Sequence, residues 1–112
     1  MSNESWQTFD LKEIRQDLEQ GKVSYKEFLR VPSLSCGLYH LPAGARDMQT
    51  PHDEDEVYLV LVGRARMKTG EEEMIDVTPG TVLYIKATET HSFFEIEEDM
   101  TLMVFFASQT LD

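Results

Sequence analysis

The chain has 112 residues, a length that fits one domain spanning residues 1–112, and 41% of them are hydrophobic. Lys and Arg number 10 against 21 Asp and Glu, a net charge of −11; that field repels phosphate backbones and anionic lipid, so neither nucleic acid nor a membrane surface is an expected partner. No apolar run is long enough to span a bilayer, the first residues lack the basic start and apolar centre of a secretory leader, and the lone Cys36 leaves no intramolecular disulfide, so a cytoplasmic protein is expected.

Residues 9–21 read as a short helix. Asp10 stands where it can cap the first turn, with Glu13 placed for a capping box and Phe9 and Ile14 for a hydrophobic staple. Leu11, Ile14 and Leu18 share one face, and Gly21 is a natural stop. The helix is expected to pack on the outside of the domain in a structural role. After Gly21 the hydrophobic period shortens to that of strands. Residues 23–30 and 35–41 are predicted strands, followed by a turn at Pro42, Ala43 and Gly44. The apolar run 57–62 ends at Gly63. Residues 64–69 and 74–77 form a predicted hairpin around Gly70, Glu71 and Glu72, and Thr78, Pro79 and Gly80 make another turn. Residues 82–86, 91–96 and 100–107 complete roughly eight or nine short strands, the pattern of an all-β sandwich or barrel. Glu71 to Glu73 and Glu97 to Asp99 are expected to be solvated acidic turns.

The stretch from Gly44 to Gly63 organises the rest. Its polar, turn-rich first half gives way to an apolar run, and His52 and Glu56 sit at the junction. In an extended strand Thr50, His52 and Glu56 share a face. A helix would also bring His52 and Glu56 together, but Pro51 and the β-branched, aromatic run after Glu56 favour a strand. An imidazole and a carboxylate on one face are either a structural hydrogen-bonded pair or half of a metal site.

These residues resemble the cupin superfamily. Its first motif runs Gly, five residues, His, one residue, His, three or four residues, Glu, six residues, Gly; this chain places Gly44, Thr50, His52, Glu56 and Gly63 at the marked positions, with Thr50 where the first His belongs. The second motif runs Gly, five residues, Pro, one residue, Gly, two residues, His, three residues, Asn; here the positions are Gly80, Lys86, Thr88, His91 and Glu95, of which Gly80 and His91 match. The resemblance implies a double-stranded β-helix, or jelly-roll, barrel with the short helix outside it. It also implies one divalent transition metal (Fe, Ni, Zn or Mn) held by His52, Glu56 and His91, a two-His-one-carboxylate set with open positions. Thr50 would leave one coordination position vacant. Parity places Tyr58 and Phe93 on the site face, the resemblance adds Tyr84, and together with Thr50 these would shape a substrate pocket. His40 reads as structural, though it could reach the Thr50 position; Gln49 has the wrong parity unless a bulge re-aims it. Lys86 and Glu95 would pair if buried and be surface charges if exposed. Cys36 reads as a small buried hydrophobe.

Two functions follow from the resemblance. One is a metal-dependent enzyme, an oxygenase, isomerase or lyase acting on a small organic molecule. The other is a non-catalytic small-molecule binding or sensing module in which the metal is structural or absent. A homodimer is expected, because a domain this small has a thin core and the strand at 23–30 offers an edge for pairing.

Overall fold

Alternating burial along two long strands sets the architecture. The computed structural model describes residues 5–18, 20–47, 52–70 and 73–107. Its elements run α1 (Leu11–Arg15), β1 (Ser24–Val31), β2 (Leu34–Leu41), β3 (Glu56–Thr69), β4 (Glu73–Val77), β5 (Val82–Ile85) and β6 (His91–Ala107). The six strands pair in the order β1-β2-β6-β3-β4, with β5 also on β3, and every pairing is antiparallel. The protein is therefore all-β with one short helix, as the strand spacing predicts. No helix among the described residues is long and apolar enough to cross a membrane.

The sequence reading breaks β3 at Gly63 and β6 between residues 96 and 100; the structure keeps both strands continuous and bends them instead. β3 and β6 pair from Glu56 opposite Phe106 to Thr69 opposite His91, with register shifts between Val60 and Arg66. Gly63 lies inside that shifted segment with φ +97. A Cβ there would lie 2.7 Å from Met100 Cα and overlap the Asp99 carbonyl, so the two strands can approach this closely at the bend only without a side chain. Glu95, at φ +48, takes up the turn on the opposite strand. The acidic residues Glu97, Glu98 and Asp99 thus belong to β6, exposed on its outer side, rather than to a loop.

Bending folds the paired ribbon over on itself, and the two halves become facing walls of a barrel. Tyr39 and Leu41 of β2, Tyr58 and Val60 of β3, Leu83 and Ile85 of β5, and Phe93, Met100, Leu102 and Val104 of β6 fill the space between them. On β5 the alternation is sharp: Leu83 and Ile85 point in, while Val82 and Tyr84 point out.

The N-terminal helix is shorter than its hydrophobic pattern suggests. Asp10 caps it as expected, its side chain accepting from Lys12 N at 2.9 Å. Past Arg15 the bonds tighten to three-residue spans, Gln16 N to Glu13 O, Asp17 N to Ile14 O and Leu18 N to Arg15 O. The tightening leaves Leu18 buried outside the helix. Phe9 packs on Phe28 of β1, ring centroids 4.9 Å apart, which ties the segment to the edge strand.

Candidate functional site

Glu56 opens β3 and His91 opens β6, and strand pairing does not join them: Glu56 faces Phe106, and His91 faces Thr69. They meet across the barrel because the bent ribbon brings its two ends over one another. His91 Nε2 lies 3.3 Å from Glu56 Oε2, with both side chains almost completely buried. Tyr58, two residues along β3 from Glu56 and 1% exposed, places its hydroxyl 3.1 Å from the same nitrogen. Phe93 holds Tyr58 edge-on, centroids 5.2 Å apart and planes 85° apart. Thus Glu56, His91, Tyr58 and Phe93 come together as the sequence predicts.

The Glu89 carbonyl sets the tautomer of His91. Its Nδ1 is 3.0 Å from the Glu89 carbonyl, which can only accept, so Nδ1 carries the hydrogen. In the neutral ring Nε2 then carries the lone pair, and the one hydroxyl hydrogen of Tyr58 goes either to it or to Glu56. Glu56 Oε1 is buried with no hydrogen-bond partner among the described residues. Burial pushes the Glu56 carboxyl up from its ordinary range, opposed by His91, His52 and a hydrogen bond from Tyr58.

His52 stands differently. The chain turns at Asp53 and Glu54, and β3 begins only at Glu56, so the strand parity expected to align His52 with Glu56 does not apply. The loop is pinned from outside: Thr88 N donates to His52 O at 2.7 Å, Ala87 N to Asp55 Oδ1 at 2.8 Å, and Ala107 N to Asp55 O at 3.0 Å. These bonds help hold Thr88 in the left-handed region, φ +68, a conformation costing a β-branched residue about 1–3 kcal/mol. The His52 ring packs on Phe106 at 4.8 Å at the rim of the site.

A cavity of about 220 Å³ lies beside the cluster, lined by Tyr25, Tyr39, His52, Tyr58, Val104 and Phe106. It shares Tyr25, His52 and Phe106 with a rim groove of about 650 Å³ that also takes in Glu27, Arg30 and Glu54. Asp47 braces the wall, one carboxylate oxygen accepting from the Tyr39 hydroxyl and the other from Phe93 N, each at 2.9 Å. Burial, then Asp47, raises the Tyr39 phenol well above its ordinary value. Tyr25, Tyr39, Val104 and Phe106 escape the sequence reading. Inward alternation along β2 and β6 was the available signal for Tyr39 and Val104; nothing in the sequence says which strands adjoin Tyr58.

One expectation needs correction. Tyr84 does not line the pocket: it is 62% exposed, because β5 turns Leu83 and Ile85 inward. His40 does not approach the cluster; the neighbours Tyr39 and Leu41 face the core, so His40 lies on the other side of the sheet. Lys86 and Glu95 are exposed, and Glu95 sits 3.5 Å from Arg66. Thr50 and Gln49 lie outside the described residues. Cys36 is buried, and burial pushes its thiol up.

The donor chemistry suits a metal at two positions. Typical Zn–N and Zn–O bond lengths give a tetrahedral edge of about 3.3–3.4 Å, which matches the 3.3 Å between His91 Nε2 and Glu56 Oε2. The Nδ1 bond to Glu89 presents the right tautomer, and the unpartnered Glu56 Oε1 leaves a further lone pair. His52 does not complete the set: among the described residues, no group of three or more His, Cys, Asp or Glu side chains is arranged to hold a metal ion.

A bent antiparallel ribbon closed on itself, with polar groups gathered inside one end, defines a jelly-roll barrel. The chain belongs to the cupin domain family, whose sequence model matches residues 37–107. A protein of Streptomyces coelicolor described as uncharacterised is 40% identical over 99 residues, covering 88% of this chain and 93% of the relative. Among solved structures, an RmlC-like cupin of Methanocaldococcus jannaschii with a double-stranded β-helix fold superposes with TM-score 0.70 at 10% identity, covering 82% of this chain and 87% of that one. The DMSP lyase DddQ of Ruegeria pomeroyi gives TM-score 0.74 at 16% identity; the match covers 87% of this chain but only 55% of the lyase. At these identities the structural likenesses establish the fold.

Proposed function

We propose that the protein holds one divalent transition metal, Fe, Ni, Zn or Mn, on Glu56 and His91, and acts on a small organic molecule in the adjoining cavity. The observation carrying this reading is the buried 3.3 Å approach of His91 Nε2 to Glu56 Oε2, beside a carboxylate oxygen without a partner. Bound there, the metal would polarise an oxygen of the substrate. The Glu89 carbonyl fixes the imidazole plane and tautomer. Phe93 and the aromatic wall exclude water and orient the ligand. With that nitrogen engaged, the Tyr58 hydroxyl would be released from Nε2 and placed to donate its proton at the cavity floor. A proton-moving hydroxyl beside a carbonyl-polarising site suits an isomerase or a lyase better than an oxygenase. The structural likeness to a lyase agrees with this at the level of fold.

A second reading has its own observation. Because no three donors are grouped among the described residues, the barrel would serve as a metal-free binding module, with a proton shared between Glu56 and His91. One experiment separates the two. Protein loaded with each metal is incubated in D2O with a panel of small oxo- and β-substituted carboxylic acids and followed by proton NMR. The enzyme reading predicts deuterium incorporation or elimination, slowed about a hundredfold or more in Tyr58→Phe. Saturable ligand shifts without turnover, equal with and without metal, would support the binding module instead.

A further inference from the structure

The outer face of the sheet carries a further cavity, of about 320 Å³. Its floor is a cross-strand row: His40 on β2 pairs with Thr101 on β6, and Thr101 pairs with Val62 on β3. Alternation sets this row opposite the core-facing Leu41, Met100 and Leu102, so the cavity is separated from Glu56 and His91 by the sheet itself. The N-terminal segment forms the other wall and contributes Lys12, Arg15 and Gln16.

Two features of this cavity ask for an external partner. His40 is 5% exposed, and its Nε2 is buried without a hydrogen bond; leaving such an atom unpaired costs about 1–3 kcal/mol. The local charge also reverses the global one. The whole chain is at −11, yet Lys12 and Arg15 both border this cavity, against one carboxylate among the described lining residues, Asp99. That carboxylate already accepts from Ala43 N at 2.8 Å. Lys and Arg only donate hydrogen bonds, so they cannot satisfy one another.

We propose that this cavity binds a small oxyanion, a carboxylate or a phosphate. Arg15 and Lys12 supply the charge, with the guanidinium fork suited to two oxygens of one group. His40 Nε2–H and the Thr101 hydroxyl donate from the floor, and Gln16 adds an amide from the wall. Thr101 is 3% exposed, so the ligand is held against a dry floor where charge-assisted bonds are strongest.

The test is a titration of the full chain at constant ionic strength with inorganic phosphate and, separately, with succinate, read by NMR of the histidine ring nitrogens. Saturable shifts at His40, with His52 and His91 unmoved, are the expected result. Arg15→Gln should weaken the affinity about tenfold, while Lys68→Gln, on an exposed position of β3, should leave it unchanged. Saturation by phosphate alone assigns a phosphorylated ligand, by succinate alone a carboxylate, and by both a general oxyanion site. Absence of saturation with either probe, an affinity unchanged in Arg15→Gln, or shifts at His91 in place of His40 would overturn the proposal. Arg15 is an exposed helix residue, so this variant keeps the test available even if substituting His40 disturbs folding.

Discussion

Replacing Gly63 with alanine tests the bend on which the site depends. At φ +97, a side chain costs about 1–2 kcal/mol for the left-handed backbone alone. The added Cβ would also meet rigid atoms, lying 2.7 Å from Met100 Cα and 2.9 Å from Asp99 C. Neither is the movable end of a side chain, so β3 and β6 must separate at the bend. Overpacking of this kind adds about 1–3 kcal/mol, for a total of about 2–5 kcal/mol. A loss of that size lowers Tm by about 10–30 °C in a domain near this length. Gly80→Ala is the control: its φ is +93, but a Cβ there has nothing within 4 Å, so only the backbone component applies. Urea unfolding followed by circular dichroism measures both variants. A Gly63→Ala cost no greater than that of Gly80→Ala would refute the argument that close approach of the strands makes the bend.

Tyr58→Phe removes the hydroxyl 3.1 Å from His91 Nε2 and is expected to cost about 1–3 kcal/mol in equilibrium unfolding of metal-free protein; a neutral or stabilising outcome would mean the bond is not made. Alkaline absorbance titration should show Tyr25 and Tyr39 ionising late. Burial and then Glu27 push Tyr25 up to about 12, and burial with Asp47 raises Tyr39 further. Because the fold favours the neutral phenols, their stabilisation is complete below the ordinary tyrosine value and is lost as pH rises through the folded one. Urea midpoints should therefore fall between about pH 10 and about pH 12, and this fall should shrink in Tyr25→Phe. A homodimer through the β1 edge predicts twice the chain mass by light scattering at micromolar concentration; a monomer mass would contradict it.

Much of the barrel is legible in the sequence because strand alternation is local. Leu83 and Ile85 against Val82 and Tyr84, or Tyr39 and Leu41 against His40, follow from parity once a strand is recognised. The same rule places Tyr58 and Phe93 correctly. It fails where the chain leaves the strand. An extended backbone would align His52 with Glu56, but the turn at Asp53 and Glu54 breaks that parity. Gly63 signalled an end and proved to be a bend, since positive φ can redirect a strand without interrupting its ladder. Family position puts Tyr84 in the pocket, but its strand alternation turns it outward. The meeting of Glu56 with His91 depends on folding a whole ribbon across the barrel, a long-range relation that spacing alone does not encode.

The central claim is that Glu56 and His91 form a metal-binding pair, and metal stoichiometry tests it most directly. Purified protein is stripped with chelator, titrated with Zn²⁺, dialysed and analysed for bound metal, alongside Glu56→Gln and His91→Ala. Glu56→Gln preserves shape and volume while removing the anionic donor. The account predicts about one metal per chain in the parent protein and loss of that metal in both variants, with the folded spectrum retained in Glu56→Gln. Equal occupancy in the parent and both variants, or no metal retained by the parent protein, would contradict it.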